Sequence, residues 1–199
     1  MFGLRRMFID NFLGGAREKT TDRLVQQEEK EVKIYAPGTQ IPYDVSLVPR
    51  LKNDHEQLLH LFTHVVQSAQ DGEFHWVKPL MDKFLQVLNA HLLLEYTKLY
   101  IYLDYSFKLD EYNHTLICDF RREMTQIGRA VRSFYNKWME RRIGPETQSF
   151  FLGEAKQIAN VLVRRIKTEE ERLYEIYDMS PGILLGNAAP FIHSPMVVD

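Results

Sequence analysis

Between residues 116 and 138 the chain reads LICDFRREMTQIGRAVRSFYNKW. Apolar side chains recur along this segment in steps of four and three residues, at Leu116, Phe120, Met124, Ile127, Val131, Phe134 and Trp138. This spacing follows the turn of an α-helix and gives the helix one apolar face. The segment therefore predicts an amphipathic helix, helix C, which buries this face in a core and ends near Gly144-Pro145.

Three further segments repeat this pattern. They are helix A from Ser46 to Ala69, helix B from Phe74 to about Asp104, and helix D from about Glu146 to Asp178. Asp71-Gly72 is predicted to end helix A, and Pro181-Gly182 to end helix D. Four helices of about 25 residues, each about 40 Å long, close into a bundle when their connections are short. Since no strand periodicity competes, the sequence predicts an all-α, antiparallel up-down four-helix bundle over residues 46–179.

The bundle is flanked by two segments of different character. Residues 1–45 are predicted to form an N-terminal arm, and residues 180–199 a C-terminal tail. Residues 1–13 are partly apolar, but none of their apolar runs reaches the roughly 7–15 residues of a signal-peptide core. Two interpretations of residues 1–13 stay open: a short amphipathic helix with weak membrane or partner contact, or a segment that packs or frays.

Composition and charge restrict the class of protein. The chain has 25 Lys plus Arg, 27 Asp plus Glu and a formal charge of -2, so we expect no nucleic-acid partner. No apolar run approaches the roughly 18 residues needed for a transmembrane segment. The single cysteine, Cys118, cannot form an internal disulfide. We therefore expect a cytoplasmic protein of a bacterial type, and composition does not indicate its oligomeric state.

The apolar stripes of the four helices are interrupted at one level. Continuing each stripe through its gap places six side chains in the interior: His55, His91, Glu95, Phe120, Arg165 and Glu169. Helix C is expected to contribute only Phe120 to this level. Buried imidazole and carboxylate groups are costly unless they are paired or coordinated. The six residues are therefore predicted to form a polar site inside the bundle.

Short motifs at this level resemble those of a known family. Asp54-His55, His91-x-x-x-Glu95 and Ile166-x-x-Glu169-Glu170 look like the motifs of the hemerythrin-like, or HHE cation-binding, family, and the resemblance covers about 47–177. The resemblance implies a four-helix bundle that holds a non-haem di-iron centre with inward histidines and bridging carboxylates. It also implies a role in oxygen binding, oxygen or redox sensing, or iron handling.

Compared position by position with the family pattern, this sequence retains four metal ligands and lacks two. The retained ligands are His55, His91, Glu95 and Glu169. Phe120 stands where members read histidine between an acid and an arginine, and Arg165 stands where they begin His-Ile-x-x-Glu-Glu. Arginine cannot coordinate iron, and its planar fork suits carboxylates.

Two interpretations of the site follow. In the first, which we prefer, no metal binds: Arg165 pairs with Glu95 or Glu169, the two histidines are hydrogen-bonded nearby, and Phe120 fills the vacated volume. In the second, the four retained ligands hold one iron or zinc ion, with Arg165 beside it. The first is preferred because an arginine at a ligand position repels a cation.

The expected function follows the first interpretation. We expect a non-enzymatic, regulatory or binding protein with a protein partner. One alternative is a non-haem iron protein, mononuclear or dinuclear, that senses oxygen or redox state or handles iron. Another is a bundle like the anti-sigma regulators, which bind a transcription factor. No glycine-rich phosphate loop, nucleophile elbow or Cys-x-x-Cys pair indicates an enzyme.

Other histidines and tyrosines are weaker candidates. His60 and His64 are four residues apart but lie off the apolar stripe, which favours surface positions. His114, near the start of helix C, is expected to have no ligand partner at a useful spacing. Five tyrosines between residues 96 and 112 indicate either a partner surface or core packing.

Overall fold

The computed structural model of the chain describes residues 33–186. The predictions for residues 1–13 and for most of the C-terminal tail lie outside the described residues. Residues 33–46 form turns and an isolated bridge between Tyr35 and Pro42, and this is the only β-pairing in the described part of the chain. The remaining structure is helical.

Four long helices make up the described fold. The elements are α1 (Leu47–Gln70), α2 (Phe74–Leu94), a π-helical turn π1 (Glu95–Tyr100), α3 (Ile101–Ser106), α4 (Glu111–Glu140), α5 (Gln148–Thr168), a second π-helical turn π2 (Glu169–Leu173) and α6 (Tyr174–Leu184). Helix A is α1, helix B runs without a break through α2, π1 and α3, helix C is α4, and helix D runs through α5, π2 and α6.

The long helices pack in a closed ring. Helix A contacts helices B and D, and helix C contacts the same two helices on the other side. Consecutive helices are joined by short connections and are therefore antiparallel neighbours. This confirms the predicted all-α bundle. None of the helices in the described range is both long and apolar enough to cross a membrane.

Helix D continues beyond its predicted end. Pro181 lies inside α6, which runs to Leu184, so the prediction that Pro181-Gly182 ends this helix is wrong. A proline removes one backbone donor, here the N–H that would serve the Tyr177 carbonyl. The Ser180 hydroxyl donates to that carbonyl at 2.6 Å and replaces the missing bond. The helix therefore continues through the proline.

The apolar face of helix C is slightly rotated from the predicted stripe at its beginning. Ile117 is fully buried, whereas Leu116 and Met124 are only partly buried. From Ile127 to Trp138 the buried positions are those of the predicted stripe. A count of apolar spacing alone does not distinguish Leu116 from Ile117, because both are apolar.

The core consists of two apolar clusters with a polar layer between them. On helix A, Leu51 belongs to one cluster and Leu58 to the other, and His55 lies between them. On helix D, Leu162 and Leu173 belong to different clusters in the same way. The interruption predicted from the sequence is therefore a single level within the bundle.

Candidate metal centre

Helices A, B and D bring four buried ligand-type side chains together. His55, His91, Glu95 and Glu169 each offer one ligand atom, and these atoms all lie within 4.8 Å of one another. The four residues are 0–3% exposed. Glu95 and Glu169 are the first residues of the two π-helical turns. The inward phase of the helices thus places two nitrogen ligands and two oxygen ligands at one interior point.

Both histidines turn one ring nitrogen outward and the other inward. His55 Nδ1 lies 2.7 Å from Glu170 Oε1, and His91 Nδ1 lies 3.6 Å from Asp54 Oδ2. Their Nε2 atoms face the buried carboxylates, at 3.4 Å from Glu169 Oε2 for His55 and 3.7 Å from Glu95 Oε2 for His91. Glu170 thus holds the His55 ring through its outer nitrogen, as outer carboxylates commonly do in metal sites, whereas His91 Nδ1 has no hydrogen-bond partner.

Glu95 is the least compensated group of the cluster. Its Oε1 accepts a hydrogen bond from the Tyr174 hydroxyl at 3.0 Å. Its Oε2 is buried and has no hydrogen-bond partner. Burial, and secondly the charge of Glu169, raise the pKa of Glu95 well above its usual range. Burial therefore favours the protonated form of this carboxyl.

The pKa values of the two histidines are shifted in opposite directions. Burial, and secondly the neighbouring His55, lower the pKa of His91 to about 4. Burial also lowers the pKa of His55, but hydrogen bonds to Glu169 and Glu170 outweigh it, so the net pKa of His55 is raised. At neutral pH His91 is therefore uncharged, and its nitrogen lone pair is available to a metal ion.

Arg165 occupies the other side of the layer. It is 4% exposed, and its Nε and Nη2 lie 2.7 and 2.6 Å from Glu169 Oε1. The contact with Glu169 is one of the two alternatives that the sequence predicted. Arg165 Nη1 donates to Glu123 at 3.0 Å, and Nη2 donates to the Tyr100 hydroxyl at 2.8 Å. The guanidinium carbon lies 4.8 Å from the centre of the Phe120 ring.

The site predicted from the sequence does not include four residues of this network: Tyr100, Glu123, Tyr174 and, as a partner of His55, Glu170. The expectation that helix C contributes only Phe120 is wrong, because Glu123 reaches the Arg165 guanidinium from a position 44% exposed. A prediction based on inward-facing positions leaves out such a residue, because its side chain reaches the site from the edge of the helix. Glu123 therefore connects the layer to the surface.

A repeated sequence pattern marks Tyr100 and Tyr174. Helix B reads His91-x-x-x-Glu95-x-x-x-Leu99-Tyr100, and helix D reads Arg165-x-x-x-Glu169-x-x-x-Leu173-Tyr174. A π-helical turn begins at each glutamate, so the leucine and the tyrosine that follow it are both buried. Such turns are frequent at functional sites. The repeat places Arg165 at the position equivalent to His91.

Comparison with known families decides the assignment. The model of the hemerythrin HHE cation-binding domain matches residues 46–177. The chain belongs to the hemerythrin HHE family. No curated protein and no solved structure is similar enough to this chain to match it.

The residues present fit one metal ion of the kind that HHE domains hold. The separations of 3.4 and 3.7 Å between Nε2 and carboxylate oxygen are longer than the roughly 2.7–3.2 Å of ordinary hydrogen bonds. They are close to the roughly 3.3–3.6 Å between ligand atoms that share a tetrahedral ion with bonds of about 2.0–2.2 Å. Phe120 and Arg165, which cannot coordinate a metal ion, stand where the family pattern has two further histidine ligands.

A small cavity adjoins the four ligands. Its volume is about 30 Å³, and His55, His91, Arg165 and Glu169 line it together with apolar side chains that include Leu88 and Met124. A water molecule needs about 10–15 Å³ by the same measure. The cavity therefore has room for two or three water-sized molecules.

The weaker candidates are distributed between surface and core. His60 and His64 are exposed, and their Nε2 atoms lie 3.1 Å apart. Among the tyrosines, Tyr100 and Tyr102 are buried, whereas Tyr96, Tyr105 and Tyr112 are exposed. The tyrosine-rich segment thus contributes to the core and to the surface alike.

Proposed function

We propose that this HHE domain binds one divalent transition-metal ion, iron by its family, through His55, His91, Glu95 and Glu169. The observation that carries the proposal is the buried, unpartnered Glu95 Oε2 at 3.7 Å from His91 Nε2. Two lone-pair atoms face each other there across a gap that suits a shared cation. When bound, the ion would supply a Lewis-acidic and redox-active centre beside the small cavity.

Arg165 takes the place of a second metal ion in this proposal. It supplies a fixed positive charge to Glu169 Oε1 and leaves Glu169 Oε2 facing His55. A permanent cation at the second position makes the centre mononuclear, because it neutralises the carboxylate that a second ion would need. The positive charge beside the ion favours a small anionic or polarisable molecule in the cavity.

We propose a binding and regulatory role and no enzymatic one. The cavity of about 30 Å³ is the size of a few water molecules, which suits water or a diatomic molecule. Each of three buried groups has an acidic partner at the bundle surface: Glu170 for His55, Asp54 for His91 and Glu123 for Arg165. These carboxylates are 28–44% exposed, so a change at the centre alters charges that are accessible to a protein partner.

A metal-free polar layer is the second candidate. It is favoured by the hydrogen bond and the ion-pair contact of Arg165 with one oxygen of Glu169, which already compensate that carboxylate. In this alternative Glu95 stays protonated, and the layer serves only to fix the register of the helices. The two candidates differ in one property, the affinity of the buried histidines for metal.

The affinity of a His91→Ala variant separates the candidates. Anaerobic titration of the chelator-treated full chain with Fe²⁺ is expected to show that the variant binds at least roughly 10–100-fold more weakly than the wild type, because a ligand is lost. His60→Ala is the matched control, since His60 is an exposed histidine of helix A. Equal affinities of the wild type and His91→Ala would support the metal-free layer instead.

A further inference from the structure

A second cluster of metal-binding side chains lies where α3 leads into α4. Asp104, His114 and Cys118 each offer one ligand atom, and these atoms all lie within 4.8 Å of one another. His114 and Cys118 are four residues apart on α4 and therefore share one face of the helix. Asp104 approaches from α3. All three are partly exposed, so the cluster is open to solvent and shares no residue with the buried centre.

This cluster corrects the expectation that His114 has no ligand partner at a useful spacing. His114-x-x-x-Cys118 is such a spacing, although the sequence gives no sign that Asp104 joins it. Spacing along the chain gives no metal-binding prediction for Cys118. The third ligand becomes visible only when α3 and α4 are packed together.

Arg121 orients two of the three ligands. Its Nη1 donates to Asp104 Oδ2, and its Nη2 lies 3.8 Å from Cys118 Sγ. Asp104 Oδ1 is buried and has no hydrogen-bond partner. One carboxylate oxygen is thus held by the arginine while the other is left available. Outer interactions of this kind fix ligand geometry in many metal sites.

The donor set selects the metal. A thiolate sulfur and an imidazole nitrogen favour zinc, whereas magnesium and calcium prefer sites built from oxygen alone. Three protein ligands leave one position of a tetrahedral ion for water. We propose that Asp104, His114 and Cys118 form a second metal site, which binds Zn²⁺ and ties the end of helix B to the start of helix C.

Cobalt titration of the full chain tests the site. Because Cys118 is the only cysteine, every thiolate-to-cobalt charge-transfer band must come from it. Under reducing conditions the wild type is expected to develop this band with one equivalent of Co²⁺, and Zn²⁺ is expected to abolish it. Cys118→Ser removes the band, and Asp104→Ala or His114→Ala weakens binding by at least roughly tenfold.

Two controls separate this site from others. The His60→Ala/His64→Ala double variant removes the exposed histidine pair of helix A and is expected to keep the band. His91→Ala is expected to keep the band too. A result against metal binding at the buried centre therefore does not affect this test. The proposal is overturned if folded Asp104→Ala and His114→Ala bind Co²⁺ as tightly as wild type, if the wild type gives no thiolate band, or if the band appears only with dimerisation.

Discussion

Replacing Arg165 with alanine is expected to lower the free energy of unfolding by about 3–5 kcal/mol, because it leaves a buried carboxylate uncompensated. Arg165 is 4% exposed and contacts the buried Glu169 through one hydrogen bond from Nε at 2.7 Å and an ion-pair contact from Nη2 at 2.6 Å. The substitution also removes the donor to Tyr100 and the cation over the Phe120 ring. Urea denaturation of the chelator-treated protein measures the loss without a contribution from bound metal.

The neighbouring Arg164 provides the control. Its side chain is 73% exposed and lies 3.9 Å from Glu123, so Arg164→Ala is expected to change stability by less than about 0.5 kcal/mol. Since a loss of 3–5 kcal/mol is large beside the about 5–15 kcal/mol of a typical domain, Arg165→Ala can fail to fold. Arg165→Lys keeps the charge and loses the planar fork, and an intermediate loss is expected. Equal stability of wild type, Arg165→Ala and Arg165→Lys would contradict the buried ion pair.

The Phe120→His/Arg165→His double variant is expected to bind a second metal ion per chain. The Phe120 ring and the Arg165 guanidinium are 4.8 Å apart, so the two new imidazoles would start from adjacent positions. Removing Arg165 also frees Glu169 Oε1, which it now occupies. Two imidazoles and a carboxylate oxygen are a ligand set that suits iron. Metal analysis after anaerobic loading with Fe²⁺ measures the gain.

Two controls make this gain specific. The single variants each supply one new imidazole and are expected to keep the stoichiometry of the wild type. Arg164→His adds a histidine on the exposed face of the same helix, one residue away, and is expected to add no tightly bound ion. A folded double variant with unchanged metal content would show that helices C and D do not place these positions at one site.

Much of the bundle and of the buried layer could be predicted from residue spacing. Helical periodicity fixes which face of each helix is buried, so His55 and Glu95 were placed inside from the apolar residues around them. The contact between Arg165 and Glu169 follows from their spacing of four residues on one buried face. The family resemblance agrees with this phase, and the match to residues 46–177 confirms the resemblance itself.

Other features depend on local geometry that uniform periodicity does not contain. A π-helical turn shifts the phase of a helix by about one residue, so Tyr100 and Tyr174 were not assigned to the interior. The repeated Glu-x-x-x-Leu-Tyr pattern is present in the sequence, but only the structure shows that a π-helical turn begins at each of these glutamates. The sequence predicts a helix end at Pro181, because residue spacing does not show that the Ser180 hydroxyl replaces the missing donor.

Contacts between helices were the least predictable part. Glu123 reaches Arg165 across the interface of helices C and D, and Asp104 reaches His114 across the connection of α3 and α4. Neither residue lies on an apolar stripe. Their roles depend on the distance between packed helices, which spacing along one helix does not fix.

The iron content of the full chain, measured after anaerobic loading with Fe²⁺ and removal of weakly bound metal, tests the central claim most directly. A centre with four retained ligands and a fixed arginine predicts one iron ion per chain, lost in Glu95→Ala and kept in Cys118→Ser. No retained iron in the folded wild type, or two iron ions per chain, would contradict a mononuclear centre in which Arg165 replaces the second metal.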